Sequence, residues 1–127
     1  MAGEADLAVL LRSMQPELHG SAYTYAATDT AVVGAFAQVA ESERMTVIAT
    51  VEVLQAHWIV VEPASARISL SVHSDLAAVG LTAAIAQTLA ATGISANVVA
   101  GFCHDHVFVP WEQRLQAIAA LRVLSDV

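Results

Sequence analysis

Four consecutive residues, Cys103, His104, Asp105 and His106, put a thiol, two imidazoles and a carboxylate into a chain otherwise rich in alanine, valine and leucine. All four types bind metals, and a cysteine beside a histidine can become a thiolate nucleophile. Spacing limits both chemistries. On an extended strand alternate side chains share a face, so His104 and His106 point one way and Cys103 and Asp105 the other. One strand then presents two ligands together, and a closed metal site needs more from His73, His19 or His57. For the same reason Cys103 and His104 do not face one another as nucleophile and base. A hairpin turn also needs polar residues, and a turn built from His104 and Asp105 is the preferred reading of this segment.

A second group lies upstream, where Ser74 and Asp75 precede Val79, Gly80 and Leu81. A helix N-terminus offers unpaired N–H groups and a partial positive charge, so a small carboxylate can bind there without any lysine or arginine. Gly80 leaves such a backbone uncovered, Asp75 can accept an ammonium group, and Asn97 both donates and accepts hydrogen bonds. Ser74, Asp75, Val79, Gly80, Leu81 and Asn97 thus form a candidate cradle for a zwitterion. A plainer reading stays open: Ser74 or Asp75 caps a helix, Gly80 serves packing and Asn97 satisfies a strand end.

The elements that carry these residues follow from periodicity. "RISLSVHS" sets Ile68, Leu70 and Val72 against Ser69, Ser71 and His73, the alternation of a half-buried strand. Leu81, Ala84, Ile85, Thr88, Leu89 and Thr92 line one stripe of a helix that ends at Gly93. "ISANVVAGF" and "HVFVP" read as strands, and Trp111, Leu115, Ile118, Leu121 and Leu124 step along one face of a last helix. The order βαββα asks for an antiparallel sheet with helices on one face. In the first half, Leu7, Leu10, Leu11 and Met14 predict a short helix before Pro16. "PELHGS" reads as a turn, "AYTYAAT" and "MTVIAT" as strands, "AVVGAFAQVAES" as a weak helix and "VEVLQAHW" as a helical turn or two. "EPASA" is the one linker-like stretch.

Bulk properties narrow the function. The 127 residues suffice for one ordinary domain or two very small ones. Hydrophobic residues make up 57% and charged ones 13%, which fills a core and leaves apolar surface for a homodimer interface. A net charge of -7 argues against nucleic acid and anionic lipid as partners. A single cysteine and an acidic opening, "MAGEAD", fit a cytoplasmic protein. The uncharged run from Leu76 to Cys103 is long enough to span a bilayer, but Gly80, Gly93 and Asn97 interrupt it and five Ser, Thr and Gln residues dot it, so it reads as a buried helix and strand. No nucleophile elbow, phosphate loop or dinucleotide glycine pattern occurs, so neither an enzyme nor a cofactor is expected. Trp58, Trp111, Tyr23 and Tyr25 read as core or interface anchors.

The segment "VHSDLAAVGLTAAIAQTLAATGISANVVAGFCHDHVFVP" resembles the ACT domain family, through Asp75 after a strand, Gly80 with Leu81 opening a helix, and Gly93 with Ile94 leading into the next strand. The whole chain is similar to small free-standing members in which two ACT-like halves are fused, with "MQPELHG" among the matching stretches. The resemblance implies an α+β fold of ferredoxin-like βαββαβ type, with subdomains at 1–64 and 65–127. It also implies a non-catalytic protein that binds a small molecule, an amino acid above all, as a sensor or regulator. Two departures stand out. Four residues, "LAAV", separate Asp75 from Gly80 where the family usually has two, with a proline before the glycine. The chain also ends at "LSDV", so the second half lacks its last strand unless the first half supplies one. A partner-docking module without a ligand and a metal protein centred on residues 103–106, with His104 and His106 as ligands, are the alternatives.

Overall fold

The computed structural model describes residues 6–59, 63–72 and 79–126. The elements are α1 (Leu7–Arg12), β1 (Pro16–Thr28), β2 (Ala37–Ala40), β3 (Met45–Thr50), α2 (Val51–Ala56), β4 (Ser65–Leu70), α3 (Leu81–Ala91), β5 (Asn97–Ala100), β6 (Asp105–Pro110) and α4 (Arg114–Ser125), the last preceded by a 3-10 turn at Trp111–Gln113. The chain forms two compact units, Met1–His19 with Ala66–Val127, and Gly20–Ser65.

The first unit contains the expected βαββα run, β4-α3-β5-β6-α4. Its strands lie in the order β1-β4-β6-β5, so the opening residues of β1 stand beside β4 and supply the strand that the second half lacks. Alternation sorts the faces. Ala66, Ile68 and Leu70 of β4 and Val107 and Val109 of β6 pack with Leu81, Ile85 and Leu89 of α3 and with Leu10, Met14, Ala117, Ile118 and Leu121 in one apolar core. Arg67, Ser69, His106 and Phe108 occupy the alternate positions and so the opposite face. In α4 the buried stripe is Ala117, Ile118 and Leu121, and Leu115 is exposed because it lies to one side of that stripe on the helix.

The second unit has strand order β2-β3-β1, with antiparallel pairing of β1 to β3 and of β2 to β3. Val47 and Ala49 of β3 pack on Leu54 of α2 and on Val32. Thr50 caps α2 by accepting from the Val53 N–H at 3.3 Å. Two expectations fail in the first half. "PELHGS" belongs to β1, where Pro16 sits at the first strand position, the place where its missing N–H costs least. "AVVGAFAQVAES" forms no helix: Gly34 takes φ 89°, which ends helical geometry, and Ala37–Ala40 pairs as β2.

The hairpin between β5 and β6 exists, but its turn falls earlier than His104 and Asp105. Ala100 pairs with Asp105, the Gly101 N–H donates to His104 O at 2.9 Å, and Phe102 and Cys103 form the tip. Asp105 is buried within β6 and Cys103 is exposed. Among the described residues no helix is long and apolar enough to cross a membrane.

Candidate functional site

The sequence-derived cradle is divided by the structure. Ser74 and Asp75 lie outside the described residues, as does His73. Val79 is exposed and Leu81 is buried in the core. Gly80 is the N-cap of α3 at φ 103°, no side chain among the described residues caps the helix there, and the Leu7 side chain lies against the glycine, 3.1 Å from where a Cβ would stand. Asn97 begins β5, after α3 has run its 11 residues, a length of about 16 Å. It lies directly opposite Phe108 and therefore on the face away from the helices. Gly80 and Asn97 thus occupy opposite ends of the unit and do not form one cradle within it.

The structure exposes a repeat that the sequence reading missed. Asp29-Thr-Ala-Val-Val-Gly34 has the spacing of Asp75-Leu-Ala-Ala-Val-Gly80. The correspondence is conformational as well. Gly34 and Gly80 are both left-handed, and the valines before them, Val33 and Val79, are 86% and 84% exposed. The signal in the letters is the pair of Asp-x4-Gly spacings, each ending in Val-Gly.

At the N-terminal copy the turn lines an open pocket of about 430 Å³, together with Arg44 and residues 57–59. Two clamps hold the turn in place. The Thr28 hydroxyl donates to Thr30 O at 2.7 Å. Gln38 binds both backbone groups of Val32, accepting from its N–H at 2.8 Å and donating to its carbonyl at 3.3 Å. Arg44 Nε donates to Asp29 Oδ1 at 3.1 Å on the pocket rim. Trp58, expected in a core or interface, is 95% exposed and left-handed at φ 60°.

A third constellation joins three neighbouring strands of the first unit. His19 Nε2 lies 2.8 Å from Ser69 Oγ, which lies 2.8 Å from His106 Nδ1, and Arg67 Nη2 is 3.4 Å from the same Nδ1. A guanidinium only donates, so Nδ1 of His106 is an acceptor and its ring is neutral. The Ser69 hydroxyl then donates to His106 and accepts from His19. Burial first, then the charges of Arg67, His104 and His19, hold His106 at a pKa of about 4; burial and Arg67 lower His19 as well, against the opposing pull of Glu17. So weak a base takes up a serine proton poorly. The array acts as a polar brace between β1, β4 and β6. Among the described residues no three His, Cys, Asp or Glu side chains gather as a metal cage. His104 stands in the hairpin turn, its Nδ1 donating to Val72 O at 3.3 Å.

The lowered His106 pKa has a signed consequence. The unfolded chain binds the proton from about pH 6.5 downward and the folded chain only near pH 4. The stabilisation is therefore complete above pH 6.5 and is lost as pH falls toward 4. Because the ring is partly solvated, the loss is about 1 kcal/mol rather than the full linkage value. Urea midpoints measured between pH 7 and 4.5 should fall in the wild type, and fall less in His106→Gln.

With the repeated turn and the two units in view, the comparisons with known proteins are decisive. Residues 2–63 match an ACT domain and residues 64–123 match another. The chain belongs to the ACT domain family. A Vibrio cholerae protein of unknown function, described as a possible transport protein, is 40% identical, with 94% of this chain and 95% of that one covered at a TM-score of 0.83. Two more distant structures share the ACT fold. The Agrobacterium tumefaciens protein Atu0741 is 14% identical over 87% of both chains, at a TM-score of 0.72. The regulatory subunit of aspartate kinase from Thermus thermophilus, in its ligand-free form, is 15% identical over 88% of this chain and 98% of its own, at 0.60. No curated protein matches this ACT sequence. Membership supports a regulatory, ligand-binding role in general terms.

Proposed function

We propose that this ACT protein is a non-catalytic sensor whose two halves, 1–64 and 65–127, each offer one Asp-x4-Gly turn to a small amino-acid-like metabolite. The observation that carries the reading is the recurrence of that sequence spacing at Asp29–Gly34 and Asp75–Gly80, with a left-handed glycine and an exposed valine described at the end of both. In the C-terminal copy the ligand carboxylate meets the N-terminus of α3, and Asp75 and Ser74 take the ammonium group. Val79 and Leu81 flank the turn. Since Asn97 stands at the far end of its own unit, it reaches such a ligand from a neighbouring strand of a second copy, which makes the working species a cytoplasmic homodimer. Ligand held between two copies favours the docked arrangement over the open one, and that difference is the regulatory signal.

The test is a thermal-shift screen of metal-stripped protein against the twenty amino acids, common nucleotides and divalent cations. A ligand present at 100 times its Kd stabilises by about 2.7 kcal/mol, a shift of several degrees. One amino acid should raise the melting temperature in a concentration-dependent way, and Gly80→Val should remove the C-terminal half's share of the response, since φ 103° disfavours a β-branched residue. A flat panel sinks the reading in favour of a docking module, and a response to zinc or nickel alone moves function to the Cys103–His106 segment.

A further inference from the structure

The polar brace of the first unit has two hydrogen-bonding states, and only one of them is closed. While His106 is neutral its Nδ1 accepts the Ser69 proton, and the Ser69 oxygen accepts from His19 Nε2, both at 2.8 Å. A proton on His106 Nδ1 turns that nitrogen from acceptor to donor. Ser69 Oγ, whose partners among the described residues are these two rings, then accepts from both, and its own proton is left without an acceptor among them. His106, Ser69 and His19 become donors gathered about one oxygen, with Arg67 Nη2 3.4 Å from the same Nδ1. Arg67 and a protonated His106 are also like charges in near contact, which repel. A guanidinium and an imidazolium accept nothing, so such a set is completed by an anion.

We propose that Arg67, Ser69, His19 and His106, on the sheet face away from the helices, bind a tetrahedral oxyanion, a sulfate or phosphoryl group. The donors stand on the neighbouring strands β1, β4 and β6. They therefore converge from separate directions rather than in the single plane of a carboxylate, and a phosphoryl group brings three strong acceptor oxygens to meet them. Arginine is the cation best matched to that geometry. The place is basic in a chain of net charge -7: His19, His104 and His106 are three of its five histidines, and they surround Arg67. All four proposed ligands are half-buried, so an ion reaches them from solvent. Binding is linked to proton uptake. Among the described residues the charges acting on His106 are those of Arg67 on β4, His104 in the hairpin and His19 on β1, and all oppose its protonation. Asn97 and Val99 of the adjacent β5 carry no charge, Asp105 alternates to the other face, and Glu17 acts on His19. A bound anion supplies the counter-charge, so it binds more tightly as pH falls and, reciprocally, raises the pH at which His106 titrates.

Sulfate is the probe, because it stays a dianion from about pH 4.5 to 7.5 and any pH dependence then belongs to the protein. The His106 ring is followed by NMR while sulfate replaces chloride at constant ionic strength, which holds screening fixed. Its signals should shift saturably, with an affinity at least tenfold higher at pH 4.5 than at pH 7.5. In saturating sulfate the His106 titration midpoint should climb from about 4 toward the ordinary histidine value. Ser69→Ala and Arg67→Gln should each weaken the acid-side binding at least tenfold, with urea midpoints in chloride showing that the variants fold; Ser69→Ala, the milder change, decides the matter if Arg67→Gln does not fold. His106→Gln should abolish the pH dependence. Phenyl phosphate binding more tightly than inorganic phosphate assigns the site to the phosphoryl group of a metabolite, and equal binding assigns it to the free ion. Sulfate binding that is equal at both pH values, or undiminished in Ser69→Ala, overturns the site and leaves the array as a brace alone. Acetate binding as tightly as sulfate overturns the tetrahedral class.

Discussion

Phe108→Ala is expected to destabilise the protein by about 3–5 kcal/mol, the usual range for emptying a fully buried aromatic site. Phe108 is among the largest fully buried side chains, at 1% exposed. Its position makes that burial informative. Val107 and Val109 point into the core with α3 and α4, so Phe108 projects from the opposite side of β6, the side a sheet with helices on one face often leaves wet. Truncation removes most of an aromatic side chain from a sealed place and leaves a void that the stiff strand cannot close. Urea denaturation should show a large fall in midpoint with an unchanged slope, and melting should drop by 10 °C or more. A loss below about 1.5 kcal/mol would mean that this face of β6 is open in solution. Val99, beside it on β5 and opposite His106, is only half-buried and should tolerate truncation far better.

The elements that periodicity found best are those in which one face does all the packing. Leu81, Ile85 and Leu89 recur at helical spacing and are the buried residues of α3, and Ala66, Ile68 and Leu70 alternate along β4 and are buried. β1 was harder to read because its first residues are polar and half-exposed and because Gly20 lies within it. The stretch after it looked helical because its small apolar residues fit a helix, yet Gly34 sits in a left-handed turn and Ala37–Ala40 finds a strand partner in β3. Local preference lost to tertiary pairing there.

The candidate sites divide along similar lines. The Asp-x4-Gly spacing was present in the letters twice, but one copy leads into a strand and the other into a helix, so the flanking patterns conceal the likeness. The pocket at the first copy depended on Trp58, and no glycine announces the left-handed end of α2. The His19–Ser69–His106 array was not legible at all. Its members are 50 and 37 residues apart and meet only through the order β1-β4-β6. In the segment that first drew attention, the turn was expected at His104 and Asp105, whereas the hairpin tip takes Phe102 and Cys103, His104 follows it, and Asp105 and His106 alternate along β6.

That hairpin carries the second large prediction, Gly101→Ala. Here the demand on glycine is close approach, because a Cβ at position 101 would lie 2.6 Å from His104 O, the same carbonyl that accepts the Gly101 N–H. The obstacle is backbone, so no side-chain rotation relieves it. The chain must instead open the turn, at a cost of about 2–3 kcal/mol, the range of an overpacked site. The displaced His104 carries β6 with it, and the added methyl would also stand 3.6 Å from Nε2 of His106. Loosening the hairpin therefore rehydrates the His106 ring, and its pKa should climb from about 4 toward the ordinary histidine value. NMR titration of the His106 ring and the urea midpoint should move together. Cys103→Ser, an exposed change at the tip of the same turn, should leave both within experimental reach of the wild type. If Gly101→Ala behaves like Cys103→Ser, the turn relaxes freely and the hairpin does not hold His106 in place. If it does not, the four polar residues at positions 103–106 owe their arrangement to a tight turn and a cross-strand brace, and metal chemistry is not needed to explain them.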